Sequence, residues 1–311
     1  MVRRPAKSRK TGSCTTPAAI DRQLRHTCQL RLESLLIEIH RTAAHPQADA
    51  IHDLRVAVRR GTEVLQVMKI AAIMHRPALA RLVKRLQLAR RAGGAVRDCD
   101  VLLQMAPHRP TQGDPNVVME RHRHALNLSR SKALTTFTHR LTAKALAPAI
   151  RQTIIILATS PQRSLRLPLP EALALRLKEN KRHWAAMIRK AAKDPTDRRL
   201  HRARIAAKHW RYALELCPTG MKHDAGKYAH RLRHLKTIQE LLGDVHDLDM
   251  VAVRFAGLTA DNTPGRAPGK YSAWLQQTRR KRHGLIRKFF QTPLVRTILT
   301  SQRSKTEPDK C

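Results

Sequence analysis

The sequence predicts an all-α protein built as a tandem repeat of two helical halves, about four helices in each. Three observations predict it. Ala, Leu, Arg and Lys dominate, and apolar residues recur at helical spacing. Strand-like alternation of apolar and polar residues is absent. Two separate motifs recur in one register, which marks a duplication. "HDLRVAVRR" (52–60) pairs with "HRARIAAKH" (201–209), an offset of 149 from 52 to 201. "GAVRDCDV" (94–101) pairs with "GDVHDLDM" (243–250), again 149 from Asp98 to Asp247.

The elements follow in order. "MVRRPAKSRKTGSCTTP" (1–17) is basic and polar, with no hydrophobic segment, and reads as a disordered arm rather than a secretory signal. The first helical half spans about 18–160, the second about 168–300, and a polar tail occupies 301–311. Each half is plausibly a four-helix bundle. Breaks between helices are expected at the Pro and Gly clusters 107–116, 159–170, 194–197, 217–220 and 257–270. The longest apolar run, "TIIILA" (153–158), is too short to cross a membrane.

Charge narrows the partner. Lys and Arg number 61 against 23 Asp and Glu, a formal net charge of +38. Self-repulsion of that size opposes the compact state unless a polyanion is near. Nucleic acid, an anionic membrane surface and polyphosphate all fit. Basic tails do not account for the excess, because Lys and Arg run through the whole length. Cys14, Cys28, Cys99, Cys217 and Cys311 are scattered singletons, so neither a disulfide framework nor a cysteine zinc site is expected, and the chain reads as cytoplasmic. Phosphate-binding glycine loops, GxSxG and HExxH are absent, and no paired carboxylates suit acid–base work. A binding protein is expected, with no catalytic residue, metal or cofactor.

Helix faces locate the charge. On a helix over 52–65, His52, Arg55 and Arg59 fall at i, i+3 and i+7 and form one stripe. Leu54, Ala57, Val58, Gly61 and Leu65 form the opposite, apolar stripe. In the second half His201, Arg204, Lys208 and Arg211 share one face, and Ala203, Ala206, Ala207, Trp210 and Leu214 the other. A basic stripe is most often a solvated face neutralised by acids one turn away. Here Asp53 lies off the ridge, and Glu63 and Glu215 come only near its far ends. A second helix in each half adds Lys84, Arg85 and Arg91, and Arg233 and His234.

Asp98, Asp100, Asp247 and Asp249 follow a glycine and precede an apolar run, the position of an N-cap. A structural or capping role is expected for at least one of each pair. The alternative is that Asp98 and Asp247 orient a ridge arginine or histidine. His246 and Asp249 stand at i, i+3, but one pair makes no metal site, since ligands come in threes or fours.

The blocks "HDLRVAVRR", "VRDCDVLL", "LHRARIAAKHWRYALEL" and "LKTIQELLGDVHDLDM" resemble the two halves of a CHAD domain, the conserved-histidine α-helical domain, over about residues 20–295. The resemblance implies two helical bundles related by a pseudo-two-fold, with basic residues facing a central groove or pore. It implies non-catalytic binding of inorganic polyphosphate, possible recruitment to polyphosphate granules, and no membrane. Carried onto this sequence, the ridge comprises His52, Arg55, Arg59, Arg60, His201, Arg204, Lys208, Arg211 and Tyr212. Departures between the halves are Glu63 where the second has Tyr212, Arg97 where it has His246, and Arg60 where it has His209. Some relatives carry a triphosphate-processing domain with an ExExK motif; none occurs here, and the chain reads as a stand-alone domain.

The competing expectation is a basic protein that binds DNA or RNA. Aromatic residues are only 3%, which leaves few stacking platforms for single strands. Loose nucleic-acid binding at low salt is expected of any chain this basic.

Overall fold

Thr16 opens the fold. Its side-chain oxygen accepts the Ala19 N–H at 3.3 Å, and Pro17 fills the first helical position. A computed structural model describes residues 16–106, 115–141, 143–161, 165–218, 221, 225–255 and 270–301. These residues form ten helices and no strand. In order they are α1 (Pro17–Ala44), α2 (Ala48–Ala71), α3 (Arg76–Met105), α4 (Pro115–Arg140), α5 (Ala143–Thr159), α6 (Leu169–Lys193), α7 (Asp197–Leu214), α8 (Ala225–Arg254), α9 (Lys270–Gln291) and α10 (Pro293–Thr300). None of them is long and apolar enough to cross a membrane.

The all-α expectation is met. The expected four helices per half are not: each half holds five. The fifth, α5 or α10, packs back on the first helix of its half. The breaks at 160–168 and 194–196 fall between helices. Those at 45–47 and 72–75 carry weaker signals, and the second closes on Ala72, whose φ of 58° turns the chain out of α2. The basic arm up to Thr15 and the tail beyond Ser301 lie outside the described residues. Pro17 already belongs to α1.

Neighbour order repeats between the halves. α1 packs on α2, α2 on α3 and α3 on α4; α6 packs on α7, α7 on α8 and α8 on α9. The halves meet where α2 touches α6 and α7, α1 touches α6, and α3 touches α8. The apolar stripes read from sequence are buried: Leu54, Ala57, Val58, Gly61 and Leu65 on α2, and Ala203, Ala206, Ala207, Trp210 and Leu214 on α7. Trp184 and Trp210 pack at 5.1 Å between ring centroids in the second core. Leu169 and Leu173 of α6 join the first core, so apolar packing crosses the boundary.

One polar lock also crosses it. Glu63 on α2 is fully buried. Its carboxylate accepts from Arg176 Nε at 3.0 Å and Nη2 at 3.3 Å, and from Asn180 Nδ2 at 3.4 Å, both on α6. His209 Nδ1 on α7 also bonds to it. Burial by itself would raise this carboxyl. The hydrogen bond and charge of His209, with those of Arg176, overcome that and hold it below the ordinary carboxylate value.

Candidate functional site

Burying the apolar stripes of α2 and α7 forces their basic ridges to the opposite side. Because α2 and α7 pack on each other, that side faces the other half rather than open water. Arg55, Arg59, Arg204 and Lys208 therefore crowd together, each partly buried. Arg90 of α3 joins them, coupled to Arg55 and Arg59. Burial is the main cause that lowers all five, and their mutual repulsion adds to it for all but Arg59. Arg55 falls to about 10 and Lys208 to about 6.

None of the five forms an ion pair with a carboxylate among the described residues. Asp98 and Asp247 act on them through space, Asp98 on Arg55 and Arg204, Asp247 on Arg204. Burial outweighs the arginines and keeps both carboxyls above their ordinary value. Arg55 Nη1 donates to the Gly93 carbonyl at 3.3 Å, while the buried Nε atoms of Arg55 and Arg204 have no partner. Gly94 and Gly243, equivalent in the two motifs, present bare backbone to these guanidinium groups. Four guanidinium groups and the Lys208 amine stand here against two carboxyl groups, an arrangement that favours an anion.

Beside the cluster stand two histidines, His201 of α7 and His246 of α8. His201 and His246 lie 4.9 Å apart between ring centroids. Burial first, then Arg204, lowers both, His246 to about 4. They line an open groove of about 800 Å³ between α3, α7 and α8, with Leu102, Arg198, Arg202, Met250 and the carboxylates Asp197 and Asp249. His52 is exposed, and burial of its ring and the charge of Arg97 lower it.

The other expected residues are placed as follows. Tyr212 is buried beside Arg59, and its phenol opposes the lowering of that guanidinium by burial. Arg60 and Arg211 turn to Glu215, each at 3.1 Å. Lys84, Arg85, Arg91 and Arg233 are exposed on other faces of α3 and α8. Lys84 lines a small cleft with Lys69 between α2 and α3. His234 pairs with His230, Nε2 to Nε2 at 2.9 Å. Sequence reading missed Arg90. It shares a face of α3 with Gly94 and Asp98, at i, i+4 and i+8, and that spacing was the available signal.

The capping expectation for the aspartates is corrected. α3 and α8 run unbroken through both glycine motifs, so Asp98, Asp100, Asp247 and Asp249 lie inside helices, not at N-termini. A structural role fits two of them. Asp100 accepts from Arg130 Nε of α4 at 2.6 Å, and Asp249 bonds to Arg282 of α9. The same ion pair thus ties the third helix to the fourth in both halves. Asp100→Ala is expected to lower stability by about 2 kcal/mol and to leave anion affinity unchanged; urea denaturation alongside a binding titration checks both.

Comparisons with known proteins agree with this architecture. The CHAD domain model matches residues 19–256. The solved structure of the CHAD domain from the plant Ricinus communis superposes with a TM-score of 0.55 at 19% identity, covering 90% of this chain and 91% of that one. PptA from Streptomyces chartreusis gives a TM-score of 0.51 at 18% identity, covering 88% of this chain and 98% of that one. At such identities these two likenesses speak for the fold. A comparison with curated proteins finds no significant match. The family match spans most of the helices and both repeated motifs, and the chain belongs to the CHAD domain family.

Proposed function

We propose that this protein binds inorganic polyphosphate, without catalysis, at the basic cluster where α2, α3 and α7 meet. The carrying observation is the crowding of Arg55, Arg59, Arg90, Arg204 and Lys208, drawn from both halves, with no ion pair to a carboxylate among the described residues. The CHAD family is associated with polyphosphate binding in general, which supports the same reading. So does the repeated neighbour order, which fits two halves related by a pseudo-two-fold and facing each other across that cluster.

The chemistry matches. Polyphosphate is a flexible chain of uniform negative charge, without base edges or rings. Recognition must come from cations spaced along a groove, and the planar fork of arginine binds phosphate oxygens in pairs. His52, His201 and the buried Lys208 act as further contacts that gain charge as the anion arrives. The outward Lys84, Arg85, Arg91, Arg233 and His234 draw the chain in from a distance. The protein acts in the cytoplasm and is recruited to polyphosphate granules.

Binding takes up protons in this account. Lys208 sits at about 6 in the free site, where burial first and then Arg204, Arg59, Arg55 and Arg211 oppose its charge. A bound polyanion favours the charged form and raises that value. Affinity therefore rises as pH falls from 8 toward 6, and His201 and His246 extend the rise below it. Stability of the free protein runs the other way. The unfolded chain holds more protons than the folded one between about 6 and the ordinary lysine value, so stability increases with pH there. Calorimetric titration of long-chain polyphosphate at about 0.15 M salt, at pH 7 in two buffers of different ionisation heat, tests both function and linkage. Saturable binding with net proton uptake is expected. Absence of binding contradicts the function, and binding without uptake contradicts the linkage.

A further inference from the structure

At the far end of the ridge three arginines meet one carboxylate. Glu215 follows α7 directly, and its Oε2 accepts from Arg60 Nε of α2 at 3.1 Å. The same oxygen lies 3.6 Å from Arg31 Nη2 of α1, and Oε1 lies 3.1 Å from Arg211 Nε of α7. Three helices each send one guanidinium group to a single acid. All four side chains keep contact with water, from 18% exposed for Glu215 and Arg211 to 35% for Arg60. Burial and the charge of Arg60 lower the Arg31 guanidinium, a sign of crowding among the cations.

This cluster is continuous with the central one. The Tyr212 ring has Arg211 at 4.9 Å and Arg60 at 5.9 Å from its centroid. Its phenol also acts on Arg59. Cations therefore run from Arg204 and Lys208, past Tyr212, to Arg60, Arg211 and Arg31.

Charge counting and shape point the same way. Three guanidinium groups on one carboxylate leave an excess of two positive charges. An internal phosphoryl unit of polyphosphate carries one negative charge over two non-bridging oxygens, the charge and oxygen count of a carboxylate. We propose that Arg31, Arg60 and Arg211 form a second phosphate subsite, in which Glu215 stands in for a phosphoryl unit until a longer polyanion displaces it. The proposal rests on the polyphosphate reading and gives that site an internal competitor. A short anion fills the central cluster and leaves Glu215 in place. A long chain reaches past Tyr212 and exchanges with it. A plain structural clamp between α1, α2 and α7 makes neither distinction.

The test is calorimetric titration of inorganic pyrophosphate into the full-length wild type, Glu215→Gln, and Glu215→Gln combined with Arg31→Gln. Masking predicts that Glu215→Gln binds one more pyrophosphate per chain than wild type, and that adding Arg31→Gln abolishes the gain. Unchanged stoichiometry in Glu215→Gln overturns the proposal, as does an added equivalent that survives Arg31→Gln. Arg31→Gln alone provides a second route that does not need the Glu215 variant to fold. It should lower long-chain polyphosphate affinity about fivefold or more and leave pyrophosphate binding intact; equal long-chain affinity overturns the subsite. The two readings fail separately. Wild type that binds long-chain polyphosphate with no gain in Glu215→Gln sinks the subsite alone. Wild type that binds no polyphosphate, beside a Glu215→Gln protein that gains a pyrophosphate site, sinks the central cluster alone.

Discussion

Replacing Arg55, Arg59, Arg204 and Lys208 with alanine is expected to lower affinity for long-chain polyphosphate by at least about a hundredfold at physiological salt. A hydrogen bond to a charged group contributes about 1.5–3 kcal/mol, so four lost contacts leave room for screening and non-additivity. The slope of affinity against salt should flatten as well, by about 0.7 for each phosphate contact removed. Stability should rise or hold, because the variant relieves repulsion among cations that burial already strains. That combination separates loss of a site from loss of a fold. The companion variant replaces the exposed Lys84, Arg85, Arg91 and Arg233. It removes at least as much charge from the free protein, yet should cost less than about fivefold, the share of long-range attraction that salt screens. Titrations of both variants at two salt concentrations, with thermal melts, check the pair.

Glu63→Ala is expected to be the most destabilising single substitution, at about 3–5 kcal/mol. It leaves Arg176 with the exposed Glu179 at 3.5 Å and Asn180 Nδ2 with one acceptor fewer, at the seam where α2 meets α6 and α7. Much of the cost comes from buried donors left without this acceptor, so Glu63→Met with Arg176→Met should recover part of it. The pH dependence has a definite sign. The folded carboxyl lies below its unfolded value, so its contribution is present above the ordinary value of 4.5 and is lost as pH falls through the folded one. Wild type should lose more stability than Glu63→Gln on acidification below about pH 4.5. Urea denaturation across pH 3 to 7 checks this; parallel curves for the two proteins would contradict it.

Much of this architecture was legible in the sequence, and the limits have physical causes. The stripes Leu54–Ala57–Val58 and Ala203–Ala206–Ala207 are buried as helical periodicity requires, which fixes where Arg55, Arg59, Arg204 and Lys208 point. Periodicity applies within one helix and says nothing of which helices meet. That is why Arg91 was read for Arg90, whose neighbour Arg59 belongs to another element. Glycine before aspartate signals a helix start, yet α3 and α8 continue through it, and Asp100 and Asp249 turn to arginines of the next helix instead. A local rule cannot foresee a partner so far along the chain. Glu63 looked like a lapse in the repeat, the acid where the other half has Tyr212. Three dimensions make it the lock between the halves.

The central claim is that the basic cluster where α2, α3 and α7 meet selects polyphosphate over other polyanions. Its most direct test is competition at about 0.15 M salt, where the Debye length is about 8 Å and diffuse attraction is damped. Labelled long-chain polyphosphate is bound to the protein and challenged with excess duplex DNA and single-stranded RNA at matched phosphate concentration. Retention of polyphosphate against both is the predicted result. Displacement by either nucleic acid would contradict it, and would make the cluster at Arg55, Arg59, Arg204 and Lys208 a general polyanion patch.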